Sequence, residues 1–265
     1  MSQSGLVALL ARDMARSVLN TASNALPRIK TIYAGPGPNP EVVTLALAAK
    51  GLDVSGMTRR LTMVGGEPEN RNETFLAKNP AGTSPFVELE DGTVLAESMA
   101  ICRYADALFE HDPSIPRLMG GPCSVELATV DMWQRRVELQ ITSAWQRQFQ
   151  YGEGAHYFSK HVSWVDASRP GYPGLRKQVE DNIHWLEAQM QARVRNGDDT
   201  GFICGTAGFT AVDLQLITTA DFMGDKVNTA KVTESWDCRE KFGPWLQVWA
   251  ERMRAIVQTL QPKKQ

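Results

Sequence analysis

Residues 79–104, NPAGTSPFVELEDGTVLAESMAICRY, constrain this chain more than any other stretch. NPAGTSP reads as a turn entering a proline, Asp91-Gly92 as the turn of a β-hairpin, and Glu97-Ser98 as the start of a helix directly after a strand. A turn, a hairpin and a helix N-terminus in such close succession predict a small sheet with a helix packed against it.

Each piece is also a device for gripping a small peptide-like anion. If Ser84-Pro85 is cis, the chain turns sharply and leaves the Ser84 backbone N–H and C=O open, so an extended peptide can pair with them as an added strand. A trans proline that merely opens a strand is the other reading. At Glu97-Ser98 the free amides and positive end of the helix dipole favour a carboxylate, with the Ser98 hydroxyl as an extra donor and Glu97 available to an ammonium group. Against this stands Ser98 as a plain cap. The loop YAGPGPNP, residues 33–40, links the first predicted strand to the first helix and carries Asn39. A free thiol titrates at about 8.5. A donor from Asn39 beside a helix N-terminus would lower that value for a thiol ligand, although asparagine among prolines is equally a turn residue.

The texture of the chain changes along its length. IKTIYA and MTRRLTMV read as strands, EVVTLALAAKGL, ETFLAK and ESMAICRYADALF as helices, and PFVELEDGTVLA as the hairpin, in the order β-α-β-α-β-β-α. DPSIPRLMGGP is rich in proline and glycine and reads as a linker. Beyond it the pattern is helical: Trp133, Val137, Ile141 and Trp145 recur every four residues along one face. Whether Trp145, Phe149 and Tyr151 fill a core or line an apolar pocket is open, with core the default. Gly208-Phe209-Thr210-Ala211-Val212-Asp213-Leu214 is a helix start: Thr210 as N-cap, Asp213 closing a capping box, and Phe209 with Leu214 as a hydrophobic staple. It predicts stability rather than chemistry.

A formal net charge of −2 supplies no basic excess for nucleic acid or acidic membranes. No apolar run approaches the ~20 residues that span a bilayer, so a soluble protein is expected. Cys102, Cys123, Cys204 and Cys238 show neither a CxxC pair nor metal-ligand spacing and suit a reducing compartment. His156 and His161 lack metal spacing as well, and His111 and His184 are isolated. Asn72-Glu73-Thr74 is a sequon that matters only after secretion. Residues 1–29 carry three arginines against one acid, with several serines and alanines, a composition that fits a mitochondrial transit peptide or a docked N-terminal helix.

NPAGTSP, Glu97-Ser98 within LAESMAICRY, and GFTAVD occur in an order and spacing that resemble the glutathione S-transferase superfamily from about Lys30 onward. GEPENR, residues 66–71, before ETFLAKNP looks like bacterial-type members. The resemblance implies an α/β plus all-α fold: a thioredoxin-like glutathione-binding domain over 30–111, a linker over 112–122 and an all-helical domain over 123–262, after an extension at 1–29. It implies glutathione as co-substrate, no metal, a small hydrophobic electrophile as second substrate, and a homodimer with no nucleic-acid or membrane partner. Carried over by motif, Ser84 and Pro85 hold the cysteinyl backbone and Glu97 and Ser98 take the γ-glutamyl end. Arg71 or Asn70 meets the glycine carboxylate, and Thr83 stands where many relatives have glutamine. The first loop has no Ser or Cys, and Tyr33 falls where relatives carry a non-catalytic aromatic. That leaves Asn39 as the thiol-activating residue, as in nu-class and fungal prion-like members, in a loop that also resembles bacterial β-etherases. Trp145, Phe149 and Tyr151 are the expected second-substrate pocket. The implied activity is a cytoplasmic glutathione transferase, or a mitochondrial one if residues 1–29 are a transit peptide. Two alternatives stand beside it: a glutathione-dependent disulfide or peroxide reductase, and a non-catalytic assembly module.

Overall fold

The computed structural model describes residues 26–64, 67–121, 123–151, 174–226 and 237–261. Residues 1–25, which hold most of the N-terminal extension, and the His156/His161 pair lie outside the described residues.

The first half is β1 (Ile29–Ala34), α1 (Pro38–Ala49), α2 (Val54–Met57), β2 (Thr58–Arg60), a ribbon of β3 (Met63–Val64) and β4 (Glu67–Pro68), a 3-10 turn Glu69–Arg71, α3 (Glu73–Lys78), β5 (Phe86–Leu89), β6 (Val94–Ala96) and α4 (Ser98–Leu108). The main sheet has the order β2-β1-β5-β6, with β1 parallel to β2 and antiparallel to β5, the arrangement of a thioredoxin-like half. Tyr33 pairs with Phe86 across β1 and β5, and Phe86 with Ala96 across the hairpin, so the segment after Pro85 is locked into the sheet.

The predicted strand MTRRLTMV is divided. Asp53 accepts from the amides of Ser55 and Gly56 and caps a helical turn that takes in Met57. After Arg60 the Glu69 carboxylate accepts from the Thr62 amide at 3.1 Å and draws the chain off the sheet into the β3–β4 ribbon. Burial alone would raise the Glu69 carboxyl. The Arg59 guanidinium and the Thr62 amide and hydroxyl outweigh it and hold the group below its ordinary range.

The second half is helical: α5 (Ser124–Val137), a π-helical segment Glu138–Thr142, α6 (Ser143–Tyr151), α7 (Leu175–Asn196), α8 (Ala211–Asp221) and α9 (Pro244–Leu260). The π segment explains the four-residue stripe. At about 100° per residue, the twelve steps from Trp133 to Trp145 overrun whole turns by about 120°. A π-turn absorbs one residue and cuts the overrun to about 20°. Trp133, Val137, Ile141 and Trp145 are accordingly all buried in one core.

Helix α1 is apolar nearly all round because it is covered on two sides. Ile32, Val43, Leu47, Val87, Leu89 and Ile101 form the core beneath the sheet, while Val42, Leu45 and Ala46 enter the core of the helical half. The proline- and glycine-rich connection fastens the two halves. Asp106 on α4 accepts from the amides of Leu118 and Met119 and pairs with Lys50 at 2.6 Å, and Lys50 also donates to the Pro116 carbonyl. The Leu118 carbonyl in turn accepts from the Ala211 amide at the start of α8. With Lys50 and Asp106 both buried, removal of either partner strands a charge in the interior.

At that α8 start the expected capping box is present. Asp213 is fully buried and accepts four hydrogen bonds: from the Thr210 amide and hydroxyl, the Ile203 amide and the Trp249 indole N–H. Burial nonetheless pushes its carboxyl above the ordinary range.

Candidate functional site

Helix α1 starts at Pro38, three residues before the EVV run that marks it in sequence, so Asn39 stands on a helical first turn and not in a free loop. Prolines are compatible with this position because first-turn N–H groups have no intrahelical acceptor in any case. Pro38 and Pro40 remove two of those donors, and the Asn39 amide remains at the positive end of the helix. Asn39 is half-buried. Its Oδ1 accepts from Gln146 Nε2 at 3.3 Å, and its backbone carbonyl accepts from the Ser98 hydroxyl at 3.2 Å. The second contact draws the N-termini of α1 and α4 together. Each helix N-terminus carries a positive partial charge, and this contact makes the two adjacent.

The Ser84-Pro85 bond is cis. The Ser84 hydroxyl accepts from the Gly35 amide at 3.2 Å, which ties this turn to the loop before α1. Any Cβ on Gly35 would lie 2.7 Å from Ser84 Oγ, so the approach requires glycine. Behind it, Asn79 Nδ2 donates to the Thr83 carbonyl at 2.7 Å and Asn70 Nδ2 to the Gly82 carbonyl at 2.6 Å. The Arg71 guanidinium lies beside Gly82, which places the 3-10 turn against the cis-proline turn. Asn72 caps α3 by accepting from the Phe75 amide at 2.8 Å, so the sequon asparagine has a local structural partner.

Glu97 is the whole connection between β6 and α4, and it takes φ 70°, ψ 121°. It is the one non-glycine residue with positive φ among the described residues. Its side chain is exposed and forms no ion pair with a described residue. A conformation this far from the allowed regions costs of the order of 1–3 kcal/mol and persists where its surroundings impose it. Ser98 is the first helical residue. Its hydroxyl hydrogen goes to Asn39, so the backbone amides of the first turn of α4 are the donors left for an anion.

The remaining residues sort by burial. The Tyr33 hydroxyl donates to Glu88 at 3.1 Å, and its ring stacks on Phe86 at 4.2 Å, so this tyrosine is occupied on the sheet. The Lys78 ammonium beside Glu88 holds that carboxyl below its ordinary range. Trp145 is 2% exposed and belongs to the helical core; Phe149 packs against the same core half-buried, and Tyr151 is half-buried at the end of α6. Cys102 lies one turn after Ser98 but points into the core, and burial pushes its thiol up to about 12. A cavity of about 390 Å³ between α7 and α9, lined by Val194, Trp245, Val248 and Arg252, shares no residue with this cluster. Asn39, Ser84, Pro85, Glu97 and Ser98 are brought together, with Thr83 and Arg71 on the adjoining turn. Gln146 was not marked by the sequence, since a glutamine inside a helix carries no spacing signal; its one hint is adjacency to Trp145.

Residues 37–108 match the glutathione S-transferase, N-terminal domain family. Glutathione S-transferase 2 of Saccharomyces cerevisiae is 39% identical over 111 residues, covering 42% of this chain and 45% of that protein, so the match spans less than half of the relative's length. A class Gtt2 glutathione S-transferase of Vibrio parahaemolyticus superposes with a TM-score of 0.59 at 27% identity, over 87% of this chain and 96% of that one. A glutathione S-transferase domain-containing protein of Marinobacter aquaeolei superposes with a TM-score of 0.62 at 26% identity, over 85% and 97% respectively.

Proposed function

The chain belongs to the glutathione S-transferase superfamily, and on that premise we propose that it binds glutathione at the junction of α1 and α4 and delivers the thiol to a small hydrophobic electrophile. The observation that carries this reading is the hydrogen bond from Ser98 to Asn39, which sets two helix N-termini against the open edge of a cis proline. In this reading Ser84 pairs with the cysteinyl backbone as an added strand. The first turn of α4 receives the γ-glutamyl carboxylate, Glu97 pairs with the ammonium group, and Arg71 with Thr83 lies toward the glycine end. Asn39 donates to the sulfur from the positive end of α1 and favours the thiolate. The electrophile enters over α6, where Phe149 and Tyr151 present partly open aromatic faces.

A second copy of the chain is part of the proposal. Val125, Met132 and Leu139 are exposed at seven-residue intervals along the helix running through α5, a stripe suited to a partner helix. Met132→Glu should shift the protein to monomer in sedimentation velocity; an unchanged mass would remove this face from the interface. Location is proposed as cytoplasmic, or mitochondrial if the N-terminal segment is cleaved on import, which N-terminal sequencing of the mature protein decides.

The test of the main reading is calorimetric titration with reduced glutathione, followed by turnover with an aryl halide. Saturable binding, weakened by Ser98→Ala through loss of the Asn39 tether, supports it. Asn39→Ala should leave affinity largely intact and lower turnover about tenfold, the equivalent of one pKa unit. Turnover of a mixed glutathione disulfide but of no aryl halide moves the reading to reduction. No binding at millimolar glutathione leaves an assembly module.

A further inference from the structure

We infer that Gln146 is a positioning residue for Asn39, holding its amide so that the amino group rather than the carbonyl is offered to the ligand thiol. This rests on the reading of Asn39 as the thiol's donor.

An asparagine amide is two-faced. Its Nδ2 donates and its Oδ1 accepts, and a half-turn about the last torsion exchanges them. Opposite a thiolate the two orientations act in opposite senses: the N–H end stabilises the charge, and the carbonyl end repels it. An asparagine on an unrestrained loop presents both. Here the Oδ1 end is engaged by Gln146 Nε2 at 3.3 Å, and no described residue accepts from Nδ2. The backbone beneath is held as well, with prolines on both sides of Asn39 and the Ser98 hydroxyl on its carbonyl. The residue therefore has little freedom except the amide turn, and Gln146 restrains that.

Gln146 is suited to the task because α6 cannot move away. Ala144 and Trp145, the two residues before it, are each 2% exposed, so the backbone that carries Gln146 is anchored in the helical core. The π segment at Glu138–Thr142 keeps that anchor facing the same core as Trp133. The contact spans 107 residues of sequence and joins the helical half to the first turn of α1. The donor is thus oriented by the second half of the chain, although every other residue of the proposed glutathione site belongs to the first.

The experiment is a double-mutant cycle on the full chain, read by the ultraviolet absorbance of bound glutathione thiolate against pH, with glutathione affinity measured in parallel. Gln146→Met removes the donor without adding charge. It should raise the thiol pKa of bound glutathione, lower the thiolate fraction near neutrality about 2- to 10-fold, the range of one neutral hydrogen bond, and leave affinity unchanged. Gln146→Glu offers an acceptor that draws Nδ2 toward itself, and its effect should be larger. In an Asn39→Ala background Gln146→Met should have no further effect on the thiol pKa. A merely structural role would instead weaken affinity or act equally in both backgrounds, and either result overturns the assignment. The two readings fail separately. If Asn39→Ala leaves the thiol pKa unchanged, the role of Asn39 falls. If Asn39→Ala raises it while both Gln146 variants match wild type, the role of Gln146 falls and that of Asn39 stands.

Discussion

Glu97 allows backbone strain and ligand recognition to be separated at one position. The perturbation is a pair of variants, Glu97→Ala and Glu97→Gly. Both delete the carboxylate proposed to meet the ligand ammonium, so both should lose glutathione affinity to a similar degree. They differ in conformation. At φ 70°, ψ 121° a residue with a Cβ bears a penalty of the order of 1–3 kcal/mol, and glycine bears almost none. Glycine gives back about 0.4–1 kcal/mol through the greater entropy of its unfolded chain. The balance predicts Glu97→Gly to be more stable than Glu97→Ala by about 1 kcal/mol, a melting temperature roughly 2–4 °C higher for a chain of this size. Glu97→Ala itself should melt close to wild type, because the exposed carboxylate has no ion-pair partner among the described residues. The assay is thermal unfolding of the three proteins without ligand, beside calorimetry with glutathione. Equal melting temperatures for the two variants, or a higher one for alanine, would refute the claim that this junction is strained. Affinity that follows stability instead of the carboxylate would refute the division of roles.

Asp213→Ala should leave the Ile203 amide, the Thr210 amide and the Trp249 indole N–H without their acceptor, a loss of about 3 kcal/mol or more. Melting should then fall by about 10 °C, and a change within about 2 °C would show that the carboxylate does not hold this corner. In the native protein Cys123 is exposed while Cys102, Cys204 and Cys238 are buried, the thiols of Cys102 and Cys204 pushed up to about 12 and that of Cys238 raised by the same cause. Dithionitrobenzoate should therefore react rapidly at one cysteine and reach all four only on unfolding; two or more fast equivalents would contradict the burial. Glu88 and Glu69 are held below their ordinary range in the folded chain. Their stabilisation is present above the unfolded glutamate pKa and is lost as pH falls through the folded values. Glu88→Gln should flatten the acid limb of a stability-against-pH curve, and a limb identical to wild type would remove the Lys78–Glu88 pair as its source.

What the sequence determined by itself is what local chemistry governs. The Asp91-Gly92 hairpin, the Thr210–Asp213 cap and the strand-to-helix junction at Glu97-Ser98 are each built by groups a few residues apart, and the structure contains all three. Their partners are within reach of the same short segment, so spacing is enough to read them. Proline on the first turn of α1 was legible as punctuation but not as helix, because the residue serves both and only the packed α1 distinguishes them. Tertiary structure decided the rest. The Tyr33 hydroxyl is spent on Glu88, Trp145 turns into the core, and Lys50, Asp106 and Leu118 clasp the two halves. Gln146 meets Asn39 across 107 residues of sequence, on a helix that the buried Trp145 anchors in the helical core. Helical spacing states which residues share a face; what lies opposite that face depends on long-range packing that no local pattern encodes.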